Sequence, residues 1–329
     1  MTGFDWTNAS VLVTGGTGSF GQKFVDVMLN KYHPRRLAVL SRDELKQSEM
    51  RERFPSPLGG PMRYFLGDVR DYDRLRRAFQ GVDVVIHAAA MKQVPAAEAD
   101  PFEAVQTNIM GSKNVIDAAI DVGVQRVVAL STDKAVGPAN LYGATKLVAE
   151  KLFTQGNTYS GPGGPLFACT RYGNVIGSRG SVIPVFLRQR ETGTLTVTDE
   201  RMTRFWLSLE QSVQLVISTV EQMLGGEVIV PKIPSMRLMD LVEAIAPGCV
   251  IEVTGIRPGE KIHEILISSD EASRTLEFED HYLIQPSFRT WGVNPWAGGK
   301  AVADGFQYDS GSNLQSLSRE ELAQSVEGI

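Results

Sequence analysis

Tyr142 and Lys146 stand four residues apart in Leu141-Tyr142-Gly143-Ala144-Thr145-Lys146, so on a helix they share one face. A phenol ordinarily loses its proton near pH ~10. A neighbouring ammonium favours the phenolate, which would let Tyr142 act as a base near neutral pH. Just upstream, Ser131-Thr132-Asp133-Lys134-Ala135 sets a hydroxyl, a carboxylate and an ammonium side by side. Alone, a Tyr-x-x-x-Lys spacing says little, and an exposed tyrosine beside an ordinary lysine would look the same. Its meaning comes from what precedes it in the chain.

The preceding signal is Thr14-Gly15-Gly16-Thr17-Gly18-Ser19-Phe20-Gly21, directly after the apolar run Ser10–Thr14. Phe20, Phe24, Val25 and Met28 follow at helical spacing. Glycines at 15, 18 and 21 permit a tight turn and close backbone approach to a pyrophosphate, with a helix N-terminus behind it. Thr17, Ser19 and Phe20 belong to the same strand–turn–helix phosphate loop. A nicotinamide dinucleotide bound there would add a cationic ring near Tyr142, favouring the phenolate further. At the end of the second strand, Ser41 occupies the place where an NAD enzyme usually carries an acid, and Arg42 and Lys46 follow. Arg42 can grip a 2′-phosphate and Lys46 adds charge, so the sequence favours NADP. Two alternatives stay open: Arg42 and Lys46 could pair with Asp43 and Glu44, or Asp43 could hold the ribose and admit NAD. Asp68 and Val69 are placed to touch the adenine. Ala88 and Ala89, in the small run after His87, let the backbone approach the nicotinamide half. His87 itself reads as a satisfied, partly buried histidine.

These residues need a scaffold, and the hydrophobic pattern supplies one. Strands are expected at Ser10–Thr14, Arg36–Leu40, Tyr64–Asp68, Val82–His87, Arg126–Ser131 and Leu166–Arg171, with helices between them. Near-continuous apolar strands alternating with helices mean a parallel sheet covered on both faces. The fold class is therefore α/β, a Rossmann-type doubly wound parallel sheet. From about residue 173 the rhythm becomes shorter and rich in Gly, Ser and Thr. A helix is expected over Leu209–Met223, a returning strand at Glu227–Val230 and a helix at Leu238–Ala246. The 329 residues suit about two domains. The net charge of -5 argues against a protein that holds nucleic acid polymer or anionic membrane by bulk charge. Cys169 and Cys249, with four scattered histidines, offer neither a disulfide framework nor a metal site. Reduced thiols, no apolar run of membrane length and no leader-like N-terminus predict a cytoplasmic location.

The order of phosphate loop, HAAA and Tyr-x-x-x-Lys resembles the extended short-chain dehydrogenase/reductase superfamily. The finer text (SRDELKQ, GDVRD, HAAAMKQVP, STDKA, NLYGATK, RYGNVIGSRGSVIP, RMTRFW, PKIPSM, GIRPGEKIHEILISSD) closely resembles inverting UDP-N-acetylglucosamine 4,6-dehydratases of the pseudaminic-acid pathway type. The likeness covers about residues 8–287. Gln93, where histidine is expected, and Val136-Gly137 depart from the pattern. The resemblance implies a lyase in which Tyr142 takes the sugar 4-OH proton while the cofactor is reduced, with Lys146 beside it and Thr132 on the 4-OH. Lys134 is then the base at C5, which requires a depressed pKa. Asp133 is the acid at the C6 hydroxyl and must carry a proton. Retaining relatives show Asp-Glu where Asp133-Lys134 stands, simple 4-epimerases lack both charges, and large membrane-bound relatives have methionine at Tyr142. Lys92, Asn174, Arg179, Arg257 and Glu260 are the implied UDP-sugar contacts. The expected division is residues 1–173 and 206–232 for the dinucleotide and 174–205 and 233–288 for the UDP-sugar; residues 289–329, low in apolar content, rich in Gly, Ser and Asn and outside the resemblance, read as an irregular tail with a short helix near Glu320–Val326. A homo-oligomer, up to a hexamer, is implied as well. A retaining dehydratase, a 4-epimerase and a non-catalytic NADP-binding regulator are the competing readings.

Overall fold

The computed structural model describes residues 4–177, 182–288, 296 and 298–326. Six strands succeed one another in the first half of the chain: β1 (Ser10–Thr14), β2 (Arg36–Ser41), β3 (Met62–Leu66), β4 (Val84–His87), β5 (Arg126–Thr132) and β6 (Leu166–Tyr172). They lie in the order β3-β2-β1-β4-β5-β6, all parallel, and Val228–Pro231 continues the sheet in parallel beyond β6. The chain winds outward from β1 to β3 and then returns to lay β4 on the other side of β1. That reversal opens a crevice above the carboxyl ends of β1 and β4, where doubly wound sheets bind ligands. The third strand ends at Leu66, so Gly67 and Asp68 lie just past it, facing the same edge.

The alternation along each strand explains the layers. Val11 and Val13 point into one apolar layer with Phe24 and Met28 of helix α1 (Ser19–Val27) and its continuation, and with Val213 and Ile217. Leu12 points the other way, into a layer with Leu75, Phe79, Val115 and Phe153. Burying each such side chain is worth about 1.5–3 kcal/mol, so both faces of the sheet are fixed by sequence.

Three further strands extend the sheet antiparallel: His281–Ile284, Thr275–Glu277 and Lys300–Ala301. The first two come from the stretch expected to bind the sugar nucleotide. A separate apolar cluster joins Phe186, Leu195, Trp206, Met236, Leu241 and Ile245, and forms the core of a smaller lobe. The expected irregular tail carries, among its described residues, the strand Lys300–Ala301, the strand Tyr308–Asp309 and the helix Arg319–Val326. Tyr308–Asp309 pairs with Ile265–Ile267, and Leu322 is buried in the small-lobe core. Backbone pairing and single apolar anchors hold this segment, and neither leaves a periodic trace in its sequence.

One buried ion network ties sheet, helix and C-terminal half together. The Arg171 guanidinium, at the end of β6, donates to Glu150 at 3.0 and 2.5 Å and to Glu271 at 2.8 and 2.9 Å. It also donates to the Leu266 carbonyl at 2.9 Å. Burial opposes the Glu271 carboxylate, but Arg171 and the Ser268 amide outweigh it and hold Glu271 at about 2. Removing one partner from such a cluster leaves buried charge uncompensated, a loss of about 3–5 kcal/mol. Arg171→Met is expected to lower unfolding stability by that amount in urea titration; a wild-type midpoint and slope would contradict the network's role.

Candidate active site

The phosphate loop is shaped by what a side chain would strike. Gly15 has φ +65°, and a Cβ there would come within 2.8 Å of the Ala89 Cα. The loop is thus pressed against the small run after β4. A Cβ on Gly21 would run into the Gly16 backbone, so α1 can start only this close to the turn with glycine there. Gly18 caps α1 in an extended conformation without a side-chain cap. The helix end therefore keeps its positive dipole for an anion.

These elements line one cleft of about 650 Å³, within the usual size of a ligand site. Its walls bring together Gly15, Thr17, Gly18, Ser19, Phe20, Gly21, Ser41, Arg42, Lys46, Asp68, Val69, Ala88 and Ala89 from the dinucleotide reading. Thr132, Asp133, Lys134, Tyr142, Lys146, Lys92 and Asn174 line the same cleft. The Gly15 cradle, the uncapped helix end and the cleft volume fit a dinucleotide. Ser41 is buried and bonded to Thr17 at 2.8 Å. Asp43 caps the next helix through the Lys46 amide and pairs with the Lys46 ammonium at 2.5 Å. Arg42 is mostly exposed and lies 3.8 Å from Asp68. Lys46 thus pairs with Asp43 as in the surface alternative, whereas Arg42 turns to Asp68.

The candidate reacting groups cluster at the carboxyl end of β5. Asp133 begins a short turn, Asp133–Ala135, and is buried. Its Oδ1 accepts from Thr132 Oγ1 at 2.9 Å and from Lys134 Nζ at 3.1 Å. The helix Leu141–Ser160 delivers Tyr142 and Lys146, capped by Asn140 accepting from the Gly143 amide at 2.8 Å. A side chain on Gly143 would strike the Lys134 carbonyl, so this glycine lets the helix press onto the Asp133 turn. His87 is buried, bonded to Thr14 at 2.9 Å, and pushed down to about 3 by burial and by Lys146. It is a satisfied core histidine.

Two electrostatic expectations change. Burial alone would lower the Lys134 pKa, but Asp133 and Glu264 overcome it and hold this ammonium above the ordinary lysine value. The cause is a second carboxylate that the sequence reading did not include: Glu264 Oε1 lies 3.3 Å from Lys134 Nζ. Its signal was an acid standing directly before the apolar run Ile265-Leu266-Ile267. Burial pushes Tyr142 up to about 12, while Lys134 and the Thr132 hydroxyl work against that rise. Lys146, itself lowered by burial, is not among the groups acting on the phenol. Burial thus outweighs the pull of Lys134 and the Thr132 hydroxyl towards the phenolate.

The substrate candidates divide. Lys92 and Asn174 face the cleft, Asn174 from a two-residue strand beside Trp206–Leu207. Arg257 and Glu260 do not line it; they sit 4.0 Å apart on an exposed loop docked to Asn140 through the Gly259 carbonyl. Arg179 lies outside the described residues. Among the described residues, no His, Cys, Asp and Glu group could hold a metal ion, and no helix is long and apolar enough to cross a membrane.

The fold and cleft define a Rossmann-type α/β protein of the extended short-chain dehydrogenase/reductase kind. The family model described as polysaccharide biosynthesis protein matches residues 11–286, and the chain belongs to that family. It is 50% identical over 326 residues to a Campylobacter jejuni protein named UDP-N-acetylglucosamine 4,6-dehydratase (inverting), covering 96% of this chain and 97% of that one. The crystal structure of Pen from Bacillus thuringiensis is 38% identical, with a TM-score of 0.87 over 98% of both chains. Thermus thermophilus UDP-glucose 4-epimerase in complex with NAD is 25% identical, with a TM-score of 0.62 over 76% of this chain and 88% of that one.

The Gly15 contact yields a direct check. Gly15→Ala combines a left-handed backbone with a clash against backbone, a strain of about 1–3 kcal/mol. Dinucleotide affinity by calorimetry is expected to fall about tenfold or more with the fold intact; unchanged affinity would place the cofactor elsewhere.

Proposed function

We propose that the protein is a UDP-N-acetylglucosamine 4,6-dehydratase that inverts C5, giving UDP-2-acetamido-2,6-dideoxy-β-L-arabino-hex-4-ulose. The observation that carries it is the Asp133–Lys134 pair, hydrogen-bonded at 3.1 Å inside the cleft that also holds Tyr142. The near-full-length likeness to an enzyme of that name supports it. A 4-epimerase needs only the tyrosine and the cofactor, which leaves a buried acid–base pair without a task. A non-catalytic regulator leaves Tyr142, Lys146 and Asp133 without one as well.

The cofactor is a nicotinamide dinucleotide, which when bound takes hydrogen from C4 with its electrons and returns them at C6. Tyr142 accepts the 4-OH proton, with Thr132 orienting that hydroxyl. The resulting 4-ketone makes the C5 proton acidic. Passing the shared proton from Lys134 Nζ to Asp133 Oδ1 turns the ion pair into an amine and a carboxylic acid. These are the base and acid required: Lys134 removes the C5 proton and Asp133 protonates the departing C6 hydroxyl, which leaves as water. A solvent-derived proton delivered to C5 from the opposite face completes the inversion; Tyr142 returns the 4-OH proton to solvent, and Lys134 and Asp133 are left as the resting ion pair. The raised Lys134 value is the resting ion pair, so its base form arises by this transfer and not by loss of a proton to solvent.

We propose NADP as the preferred dinucleotide. Ser41 is bonded to Thr17, Asp43 caps a helix, and Arg42, mostly exposed though 3.8 Å from Asp68, is the cation offered to a 2′-phosphate. NAD, present in the Thermus structure, is the alternative. Lys92 and Asn174 are proposed on the sugar-diphosphate, with Arg257, Glu260 and Arg179 as further contacts. The proposed division is a dinucleotide domain interleaved with a UDP-sugar lobe. We further propose a cytoplasmic homo-oligomer, supported by the two free cysteines and by exposed Phe102 and Met110. The product would feed deoxyamino-sugar synthesis of the pseudaminic-acid type.

Mass spectrometry of UDP-N-acetylglucosamine incubated with the enzyme is expected to show loss of one water. Tyr142→Phe and Lys134→Ala are each expected to slow this by about 10²–10⁴-fold while dinucleotide affinity holds. Intact substrate with the wild-type enzyme, or unslowed variants, would contradict the reading.

A further inference from the structure

Glu264 was not among the residues expected in the site, yet it stands in it. It is buried, with only about 3% of its surface exposed. Its Oε1 lies 3.3 Å from Lys134 Nζ and 3.9 Å from the Arg204 guanidinium. Among the described residues, neither Glu264 Oε2 nor Asp133 Oδ2 has a hydrogen-bond partner. A buried carboxylate oxygen without a partner is costly, so its retention calls for a task.

The backbone around Glu264 is fixed from a distant part of the chain. The Glu264 amide donates to Ser310 Oγ at 2.9 Å, and the Ser310 amide donates to the Glu264 carbonyl at 2.8 Å. Directly after it, Ile265–Ile267 pairs with Tyr308–Asp309. The carboxy-terminal segment, to which the sequence reading assigned no role, therefore sets where this carboxylate sits.

We infer that Glu264, clamped by Ser310, is a positioning residue that pins the Lys134 ammonium between two carboxylates and fixes where its nitrogen stands in the cleft. The inference deepens the dehydratase reading and rests on it for its meaning in catalysis. Lys134 is free to rotate about its long stem. One anchor at Asp133 leaves a range of positions, whereas a second anchor restricts them. Geometry within about 0.5 Å of the productive one is what such a base needs. The charged and titratable groups facing Lys134 are Asp133, Glu264, Arg204, Lys261 and Tyr142. Of these, Asp133 and Glu264 favour its ammonium and Arg204 opposes it. Removing the Glu264 charge therefore makes Lys134 lose its proton at lower pH.

The test reads Lys134 directly, without turnover. The full-length protein is labelled with trace acetic anhydride across a pH series, and Lys134 acetylation is quantified by peptide mass spectrometry. In Glu264→Gln the half-labelling pH is expected to fall by at least about one unit, an about tenfold rise in labelling on the acid side. Glu264→Asp, which keeps the charge, is expected to stay nearer the wild type. Ser310→Ala is expected to shift Lys134 in the same direction by less, and serves if Glu264→Gln does not fold. kcat for dehydration in Glu264→Gln is expected to fall by about tenfold, with little change in KM, as a less fixed base requires. A folded Glu264→Gln whose labelling curve matches the wild type would overturn the inference. Absence of dehydration by the wild-type enzyme would instead overturn the proposed reaction, and the labelling curve would still decide the contact between Glu264 and Lys134.

Discussion

A lysine ammonium held 3.1 Å from one buried carboxylate and 3.3 Å from another is the contact on which the rest of the structure turns. Ion pairs out of water are expensive to assemble and persist only with geometry and further hydrogen bonds to support them. Here the support comes from every part of the chain. Strand β5 ends at Thr132, whose hydroxyl donates to Asp133. The Asn140-capped helix begins against the Lys134 carbonyl because Gly143 has no side chain. Gly173, at the end of β6, leaves room beside Asp133 Oδ2, where a Cβ would approach to 3.3 Å. The C-terminal strand Tyr308–Asp309 and Ser310 then hold Glu264 in place.

The same economy explains why acid and base chemistry can share one short turn. In the proposed reaction the pair shares a single proton that can sit on nitrogen or oxygen, and the two placements are the proposed resting and working forms. A fold with an isolated, depressed lysine would reach the base form by losing its proton to water, and the acid would then need a separate source. The pair, with Asp133 buried and Lys134 partly exposed, can interconvert these two forms by moving one proton between its own atoms. The cost is a resting state biased towards the ammonium, and Glu264 adds to that bias while fixing the nitrogen.

Much of this was legible in the sequence, for identifiable physical reasons. Apolar runs such as Val11-Leu12-Val13 bury both faces and so name their own strands. The Gly15, Gly18 and Gly21 spacing names its turn, since no other residue fits against Ala89 or Gly16. Tyr142 and Lys146 share a helix face as their spacing requires. Glu264 escaped because its meaning depends on Lys134, 130 positions away, and local pattern carries no such information. The strands at Lys300–Ala301 and Tyr308–Asp309 escaped because two-residue pairings have no period. The Lys134 charge was misjudged for the same reason as Glu264: burial was foreseeable, while the second carboxylate was not. Arg257 and Glu260, implied as UDP-sugar contacts, share an exposed loop outside the cleft lining and docked to Asn140.

Elimination of water across C5 and C6 by the Asp133–Lys134 pair, with C5 then reprotonated from the opposite face, is tested most directly by the product formed in D₂O. NMR of UDP-N-acetylglucosamine after reaction is predicted to show a 6-deoxy-4-keto sugar carrying deuterium at C5 in the L-arabino configuration. A D-xylo product would contradict inversion, and a sugar that keeps its C6 hydroxyl would contradict the elimination itself.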